Sequence, residues 1–158
     1  MTPVLLHLPH DSTVIPSADR ADYLISAADL GLEQLRLTDW HTAALYAEGM
    51  PTDEIVCAEV SRLVVDVERF ADDRLERCSA FGMGATYVQT CDGRPLRVLS
   101  PERRAELLDR YYWPHHRRLD EAVSAKEILG QRLQFRRRVA GLRADTNFQR
   151  RRETHLRR

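Results

Sequence analysis

Residues 10–13, His-Asp-Ser-Thr, bring together an imidazole, a carboxylate and two hydroxyls that could do chemistry. They follow the apolar run of residues 4–6, which predicts a buried strand. His10, Asp11 and Ser12 would then stand at the carboxyl end of that strand, where open α/β sheets build their sites. Such a group could hold a metal ion or a reacting group. A loop histidine that bonds only to backbone is the alternative that the local context leaves open.

Residues 61–70, SRLVVDVERF, combine two arginines with two acids. In a strand, alternation with period two would place Arg62, Asp66 and Glu68 on one side, so that their polar groups converge. Arginine can grip a substrate carboxylate through two parallel hydrogen bonds, or polarise a carbonyl while it stays charged. The alternative is a structural ion pair, either Arg62 with Asp66 or Glu68 with Arg69.

Residues 109–119, DRYYWPHHRRL, surround Pro114 with aromatic side chains and the pair His115-His116. Adjacent residues on a helix point about 100° apart, so at most one of these histidines could face a shared metal ion. The i, i+4 spacing of a helical zinc motif is absent. This segment therefore favours packed aromatic residues and histidines at the surface.

The elements that must position these residues can be predicted from periodicity. Residues 27–50 repeat apolar side chains at helical spacing, which predicts two helical pieces, the second with Thr38 as its N-cap and Gly49 at its end. Residues 54–60 and 62–67 are rich in Val, Ile and Leu, which predicts a strand and its continuation around Ser61.

A hairpin and a capped helix are predicted in the second half of the chain. Residues 85–98 alternate apolar and polar side chains around Asp92-Gly93, which predicts a β-hairpin with a type I′ turn. Residues 100–102, Ser-Pro-Glu, predict the start of a helix that runs past Tyr112. Pro114 should bend or break this helix, because it removes a backbone donor and clashes with the preceding turn. The alternation of strands and helices predicts an α/β sheet domain.

Composition and charge divide the chain into two parts. Residues 1–125 hold 13 arginines against 21 acidic residues, a difference of −8, whereas residues 126–158 hold 11 Lys or Arg against three acidic residues, a difference of +8. We therefore predict one domain over residues 1–125 and a basic, Arg-rich tail over residues 126–158. A binding module whose tail contacts nucleic acid is the alternative function. Charge runs are usually solvated, so nucleic acid is not the expected partner.

Other classes of protein are not indicated. No apolar run approaches the roughly 18 residues of a membrane span, and the start of the chain lacks the pattern of a signal peptide. We therefore expect a cytoplasmic protein. Cys57, Cys78 and Cys91 are odd in number and widely spaced, which predicts neither a disulfide framework nor a thiolate zinc site.

Five blocks of the sequence resemble, in order, the N-formylglutamate amidohydrolase family, and the resemblance spans residues 3 to about 124. The blocks are LLHLPHDSTVIP, TDWHT, SRLVVDVERF, GMG and YYWPHHRRL. Several ordered blocks are more specific than one short motif. The family is similar to zinc carboxypeptidases and aspartoacylases. The resemblance implies an α/β fold of the zinc-carboxypeptidase type, a three-layer sheet with helices on both faces, which we expect to be incomplete at the carboxyl terminus.

The resemblance also implies a zinc ion at the carboxyl edge of the strands. His10 would be its first ligand. Related families place a glutamate three residues after that histidine, where this chain has Thr13, so the carboxylate ligand would be Asp11 or Asp39. A later Asp-x-His-Ser block and a still later acid of the family are missing from this sequence. We therefore expect a poor or inactive zinc hydrolase.

The implied reaction is hydrolysis of the formyl amide of N-formylglutamate or a similar N-acyl acidic amino acid. The expected partner is thus a small-molecule N-acyl amino acid. By resemblance, Arg62 would polarise the scissile carbonyl, Arg69 would grip the substrate's carboxylate and Ser12 would contact the substrate. The related strand motif ends in Asn-Arg, where this chain has Glu68-Arg69.

Overall fold

The computed structural model describes residues 4–128. Those residues form a mixed domain of short strands and helices. The strands are β1 (Leu6–Leu8) and β2 (Ile55–Cys57), and the α-helices are α1 (Ala27–Leu37), α2 (Thr42–Tyr46), α3 (Pro101–Leu107) and α4 (Trp113–Ile128). A π-helical segment, Leu108–Tyr112, joins α3 to α4, and short 3-10 helices span Ser17–Asp22, Thr52–Glu54 and Arg77–Phe81.

β1 and β2 pair in parallel, with Leu6 opposite Ile55 and Leu8 opposite Cys57. A further backbone hydrogen bond, from Ala58 N to Leu8 O at 2.9 Å, extends the contact past the strand ends. β1 begins two residues after the predicted apolar run begins. The mixed α/β class is confirmed, while the three-layer sheet stays a prediction because the described residues contain one two-stranded sheet.

The predicted strand over residues 62–67 is wrong, because this segment forms turns. The carbonyl of Ser61 accepts hydrogen bonds from Val64 N at 2.8 Å and from Val65 N at 3.3 Å, which curls the backbone. Val64, Val65 and Val67 are all buried in the core. The run of valines therefore reflects burial on several sides of a turn, and β2 ends at Cys57.

Residues 27–50 do form two helical pieces, but Thr38 does not begin the second one. It ends α1, where its backbone N–H donates to Gln34 O at 3.0 Å. α2 begins after His41, whose φ of 64° and ψ of 7° lie in the left-handed region. α2 is short and ends at Tyr46.

Residues 88–96 turn back on themselves as predicted, but with a different turn. Thr90 N donates to Arg94 O and Leu96 N donates to Val88 O, both at 2.9 Å. Gly93 has a φ of 79°, whereas Asp92 has a negative φ, so the turn is not of type I′, which needs two positive values. The pattern fits a type I turn followed by a left-handed glycine.

Ser100 caps α3 as predicted, since its Oγ accepts a hydrogen bond from Arg103 N at 3.1 Å. Pro114 does not break the helix, because the wider π-helical turn precedes it and α4 continues to Ile128. In that turn Trp113 N donates to Leu108 O, five residues back. A π turn of this kind accommodates the missing donor and the bulk of a proline.

The core joins the turn of residues 61–67 to the hairpin and to α3. Arg97 is 1% exposed and lies within it. Its Nε donates to Tyr87 O at 2.7 Å and its Nη2 donates to Val64 O at 2.8 Å. This arginine therefore satisfies two carbonyls that the irregular backbone leaves unpaired, and it fixes the hairpin against the turn.

No helix within residues 4–128 is long and apolar enough to cross a membrane. The predicted basic tail, and the nucleic-acid alternative that depends on it, fall largely on residues 129–158, which lie outside the described residues.

Candidate active site

His10 lies two residues after β1 and is 4% exposed. Its Nε2 is 2.9 Å from Oδ1 of Asp66. Its Nδ1 faces two further carboxylates, Asp39 at 3.4 Å and Glu68 at 3.7 Å. The imidazole therefore stands between one fully buried carboxylate and two that are more accessible.

Asp66 is the centre of this cluster and is fully buried. Its Oδ2 accepts hydrogen bonds from Arg62 Nε at 3.1 Å, Arg62 Nη2 at 2.7 Å and the Tyr87 hydroxyl at 2.9 Å. Its Oδ1 accepts from His10 and from the backbone N–H of Glu68. Burial alone would raise the pKa of Asp66, but the hydrogen bonds and charges of His10 and Arg62 hold this pKa well below its usual range. Asp66 is therefore an anion that orders its donors.

The contact with Asp66 determines which nitrogen of His10 can act as a ligand. An ionised carboxylate only accepts hydrogen bonds, so the ring proton of the neutral imidazole must sit on Nε2. The lone pair is then on Nδ1, which faces Asp39 and Glu68. Metal-binding histidines commonly donate their other N–H to a carboxylate in this manner.

The loop between α1 and α2 presents Asp39 to His10. Asp39 N donates to His10 O at 3.0 Å, and the hydroxyl of Thr42 donates to Asp39 O at 2.5 Å. His41 adopts its left-handed backbone within this loop. A positive φ is uncommon for residues other than glycine and often marks a functional loop. The left-handed backbone of His41 thus lies in the loop that places the carboxylate of Asp39 beside His10.

Arg62 and Arg69 converge on the same cluster. Burial opposes the charge of Arg62, but the carboxylate of Asp66 outweighs it and the pKa of Arg62 is raised. Arg69 is more accessible, and its Nε lies 3.6 Å from Asp66. Its Nη1 donates to the sulfur of Cys78 at 3.0 Å and lies 3.5 Å from Glu76. The structure therefore brings His10, Arg62 and Arg69 around one buried aspartate.

Asp11 and Ser12 point elsewhere. Oδ1 of Asp11 accepts a hydrogen bond from Ala43 N at 3.3 Å, at the start of α2. The hydroxyl of Ser12 donates to Glu59 O at 3.1 Å and accepts from Val14 N at 3.2 Å. Of the two aspartates predicted as alternative ligands, the structure brings Asp39 to His10.

Of the two histidines in residues 109–119, His115 is buried, contrary to the sequence prediction, and His116 is partly exposed. His115 is 1% exposed, and its Nε2 lies 2.8 Å from Nε2 of His7. Burial lowers the pKa of His7 to about 4 and that of His115 to about 3, so the two rings share a hydrogen bond as a neutral pair. His116 donates to Val67 O at 3.0 Å and braces the turn next to Asp66.

Sequence reasoning missed the central role of Asp66 and missed Tyr87 altogether. The spacing of Arg62 and Asp66 did indicate a role for Asp66, since it predicted their ion pair. Tyr87 belongs to the hairpin, 21 residues after Asp66, and no local pattern links the two. Among residues 4–128, no group of three or more His, Cys, Asp or Glu side chains could hold a metal ion. These residues therefore supply at most part of a coordination sphere, in which His10 and Asp39 would be the nearest donors.

Comparisons with known proteins identify the family and a similar fold. A family model described as N-formylglutamate amidohydrolase matches residues 2–135. A crystal structure of N-formylglutamate amidohydrolase from Ralstonia eutropha JMP134 is similar in fold, with a TM-score of 0.67 and 22% sequence identity. The similarity covers 82% of this chain and 50% of that one, so this chain spans about half the length of that protein. None of the curated proteins matches this chain by sequence.

Proposed function

Since this chain belongs to the N-formylglutamate amidohydrolase family, we propose that its site takes part in metal-dependent hydrolysis of the formyl amide of an N-acyl amino acid. N-Formylglutamate is the first substrate to test. The observation that supports this proposal best is the contact of His10 with Asp66, which leaves Nδ1 available next to Asp39. We extend the proposal to the architecture, a three-layer sheet of the zinc-carboxypeptidase type.

The donor set around His10 fits a zinc ion in its chemistry. Imidazole nitrogen and carboxylate oxygen are both common zinc ligands. Asp39 is the carboxylate that we propose as the second ligand, because Asp11 is engaged by the backbone of α2. A zinc ion held there would supply Lewis acidity toward the formyl carbonyl and would lower the pKa of water.

The two arginines would act on different parts of the substrate. Arg62 donates two hydrogen bonds to Asp66 and one to Leu37 O, and a guanidinium has five N–H donors, so two are left to stabilise the oxygen of the tetrahedral transition state. Arg69 is the more accessible of the two and would bind the carboxylate of the amino acid. Arg69→Gln should therefore raise KM, whereas Arg62→Gln should mainly lower kcat.

Zinc affinity measured by titration calorimetry tests the ligand assignment directly. We expect the wild-type chain to bind zinc weakly, because His10 and Asp39 are two of the three protein ligands that a catalytic zinc usually has, and we expect His10→Gln and Asp39→Asn to bind it more weakly still. Asp11→Asn is the matched control, because it changes the same kind of side chain on a neighbouring loop and should keep the wild-type affinity. Equal zinc affinity of wild type and His10→Gln would contradict the proposed site.

Release of formate from N-formylglutamate tests the reaction. It should stop when a chelator removes the metal and should return when zinc is added. We expect a low rate, because a catalytic zinc usually has three protein ligands and residues 4–128 supply His10 and Asp39. Formate release that survives chelation would contradict the proposed mechanism.

A further inference from the structure

Glu76 is a buried carboxylate beside Arg69 to which the proposed function gives no role. It is 8% exposed and is the N-cap of the 3-10 helix Arg77–Phe81. Its Oε2 accepts a hydrogen bond from Phe70 N at 3.1 Å, and its Oε1 accepts one from Cys78 N at 2.9 Å. One side chain therefore fixes both the backbone directly after Arg69 and the start of the 3-10 helix.

The same carboxylate and the helix that it caps also contact the guanidinium group of Arg69. Oε1 of Glu76 lies 3.5 Å from Arg69 Nη1, and the sulfur of Cys78 accepts a hydrogen bond from this Nη1 at 3.0 Å. Arg69 Nε lies 3.6 Å from Oδ2 of Asp66. The guanidinium group is thus held at two of its nitrogens, while 29% of the side chain stays exposed.

Holding an arginine in place has a direct effect on how well it binds an anion. Arginine binds a carboxylate best when its planar guanidinium group presents two parallel N–H groups. A free arginine side chain occupies many rotamers, and confining it when a ligand binds costs free energy. The contacts of Glu76 and Cys78 with Arg69 give a preformed arrangement that avoids part of this cost.

We infer that Glu76 is a positioning residue, which holds Arg69 where the α-carboxylate of the substrate binds. It acts through the backbone of Phe70 and through the thiol of Cys78, and it does not itself touch the substrate. This inference rests on the proposed function, which assigns the carboxylate of the amino acid to Arg69. Loss of Glu76 should therefore weaken the binding of ligands that have an α-carboxylate and spare that of ligands that lack one.

N-Formyl-L-glutamate and N-formyl-L-isoglutamine form a suitable pair of probes, because the second differs only in having an amide in place of the α-carboxylate. Their affinities for the full chain can be measured by isothermal titration calorimetry. Glu76→Gln removes the charge and places an NH2 group opposite one of the two backbone donors. Glu33→Gln is the matched control, because Glu33 in α1 is also buried and accepts a hydrogen bond from a backbone N–H, but its partners, Cys91 and Arg36, lie outside the candidate site.

Arg69→Gln should weaken the binding of N-formylglutamate about tenfold, as expected for one hydrogen-bonded charge pair, and should change that of N-formylisoglutamine by less than about twofold. Glu76→Gln should show the same selective loss, and the double variant should bind no more weakly than Arg69→Gln, because both changes remove one interaction. Glu33→Gln should lower the free energy of unfolding in urea and keep the wild-type ratio of the two affinities. Equal weakening of both probes by Glu76→Gln, or additive effects in the double variant, would show a merely structural role and overturn the inference.

Cys78→Ala keeps the inference testable where Glu76→Gln does not fold. It removes the sulfur from Arg69 but leaves the carboxylate of Glu76, and it should weaken the binding of N-formylglutamate alone by about threefold. A wild-type ratio of affinities in Glu76→Gln, or in Cys78→Ala where Glu76→Gln does not fold, would overturn the inference alone if Arg69→Gln loses that ratio. Failure of both probes to bind the wild-type chain, or a wild-type ratio in Arg69→Gln, would overturn the proposed role of Arg69 and the inference with it.

Discussion

Replacing Asp66 by asparagine should destabilise the fold as well as the candidate site. Asp66 is fully buried and accepts two hydrogen bonds from Arg62 and one each from His10, Tyr87 and the backbone of Glu68. Asparagine has nearly the same shape but only one acceptor oxygen. Its NH2 group would therefore replace a carboxylate oxygen and face donors that now have an acceptor. It also leaves Arg62 without its counter-charge. Breaking a buried pair on one side costs roughly 3–5 kcal/mol, a large part of the roughly 5–15 kcal/mol by which domains are stable.

Urea unfolding at neutral pH, followed by circular dichroism, would measure this loss. Tyr87→Phe removes one hydrogen bond to the same carboxylate and should cost roughly 1.5–3 kcal/mol, so it remains measurable even where Asp66→Asn does not fold. Asp72→Asn is the control, because Asp72 pairs with Arg74 at the surface and its loss should not change the stability measurably. A free energy of unfolding for Asp66→Asn within about 1 kcal/mol of wild type would refute the reasoning.

Further predictions concern the buried histidines and two glycines. Because burial lowers the pKa of His7 to about 4 and that of His115 to about 3, the unfolded chain binds more protons below pH 6.5. The stability that the neutral histidines contribute should therefore be fully present above pH 6.5, and the free energy of unfolding should fall as the pH drops toward 4. A free energy of unfolding that stays constant across this range in urea titrations would contradict the neutral pair. Gly82→Ala should destabilise by more than about 1 kcal/mol, since φ is +67° and the added Cβ would meet a side chain at 2.7 Å. Gly31→Ala, in α1 with open space around the site of the added Cβ, should instead stabilise by about 0.5–1 kcal/mol in the same assay.

The convergence of His10 with the arginines could be predicted from sequence, but the secondary structure that brings them together could not. Period-two alternation predicted that Arg62 and Asp66 share one side of a strand. In the structure, a turn brings them together, and their ion pair lies at the centre of the candidate site. A buried turn and a buried strand both select valine, so composition alone does not distinguish the two. The contact of Tyr87 with Asp66 depends on the hairpin packing onto that turn, which is tertiary information.

Local chemistry was also ambiguous at the ends of elements. Threonine can cap the start of a helix, but Thr38 is the C-cap residue that ends α1. His41 enters the left-handed region without being glycine or asparagine, the residues that normally indicate it. By contrast, the predictions at Ser100 and at Gly93 rested on residue types with few alternative uses. Ser100 caps α3, and Gly93 adopts the left-handed conformation in the hairpin turn.

The charge of the site links the proposed metal to the proposed substrate. Three carboxylates, those of Asp39, Asp66 and Glu68, contact His10, and a divalent cation beside Asp39 would add two positive charges to this group. Zinc should therefore strengthen the binding of N-formylglutamate more than that of N-formylglutamine, because the former carries the additional charge. Linkage requires the converse as well, so N-formylglutamate should tighten zinc binding more than its neutral analogue does. Calorimetric titrations of each ligand with and without zinc would measure both sides of this relation, and an equal effect of zinc on the two ligands would show that the site's charge is not what selects the substrate.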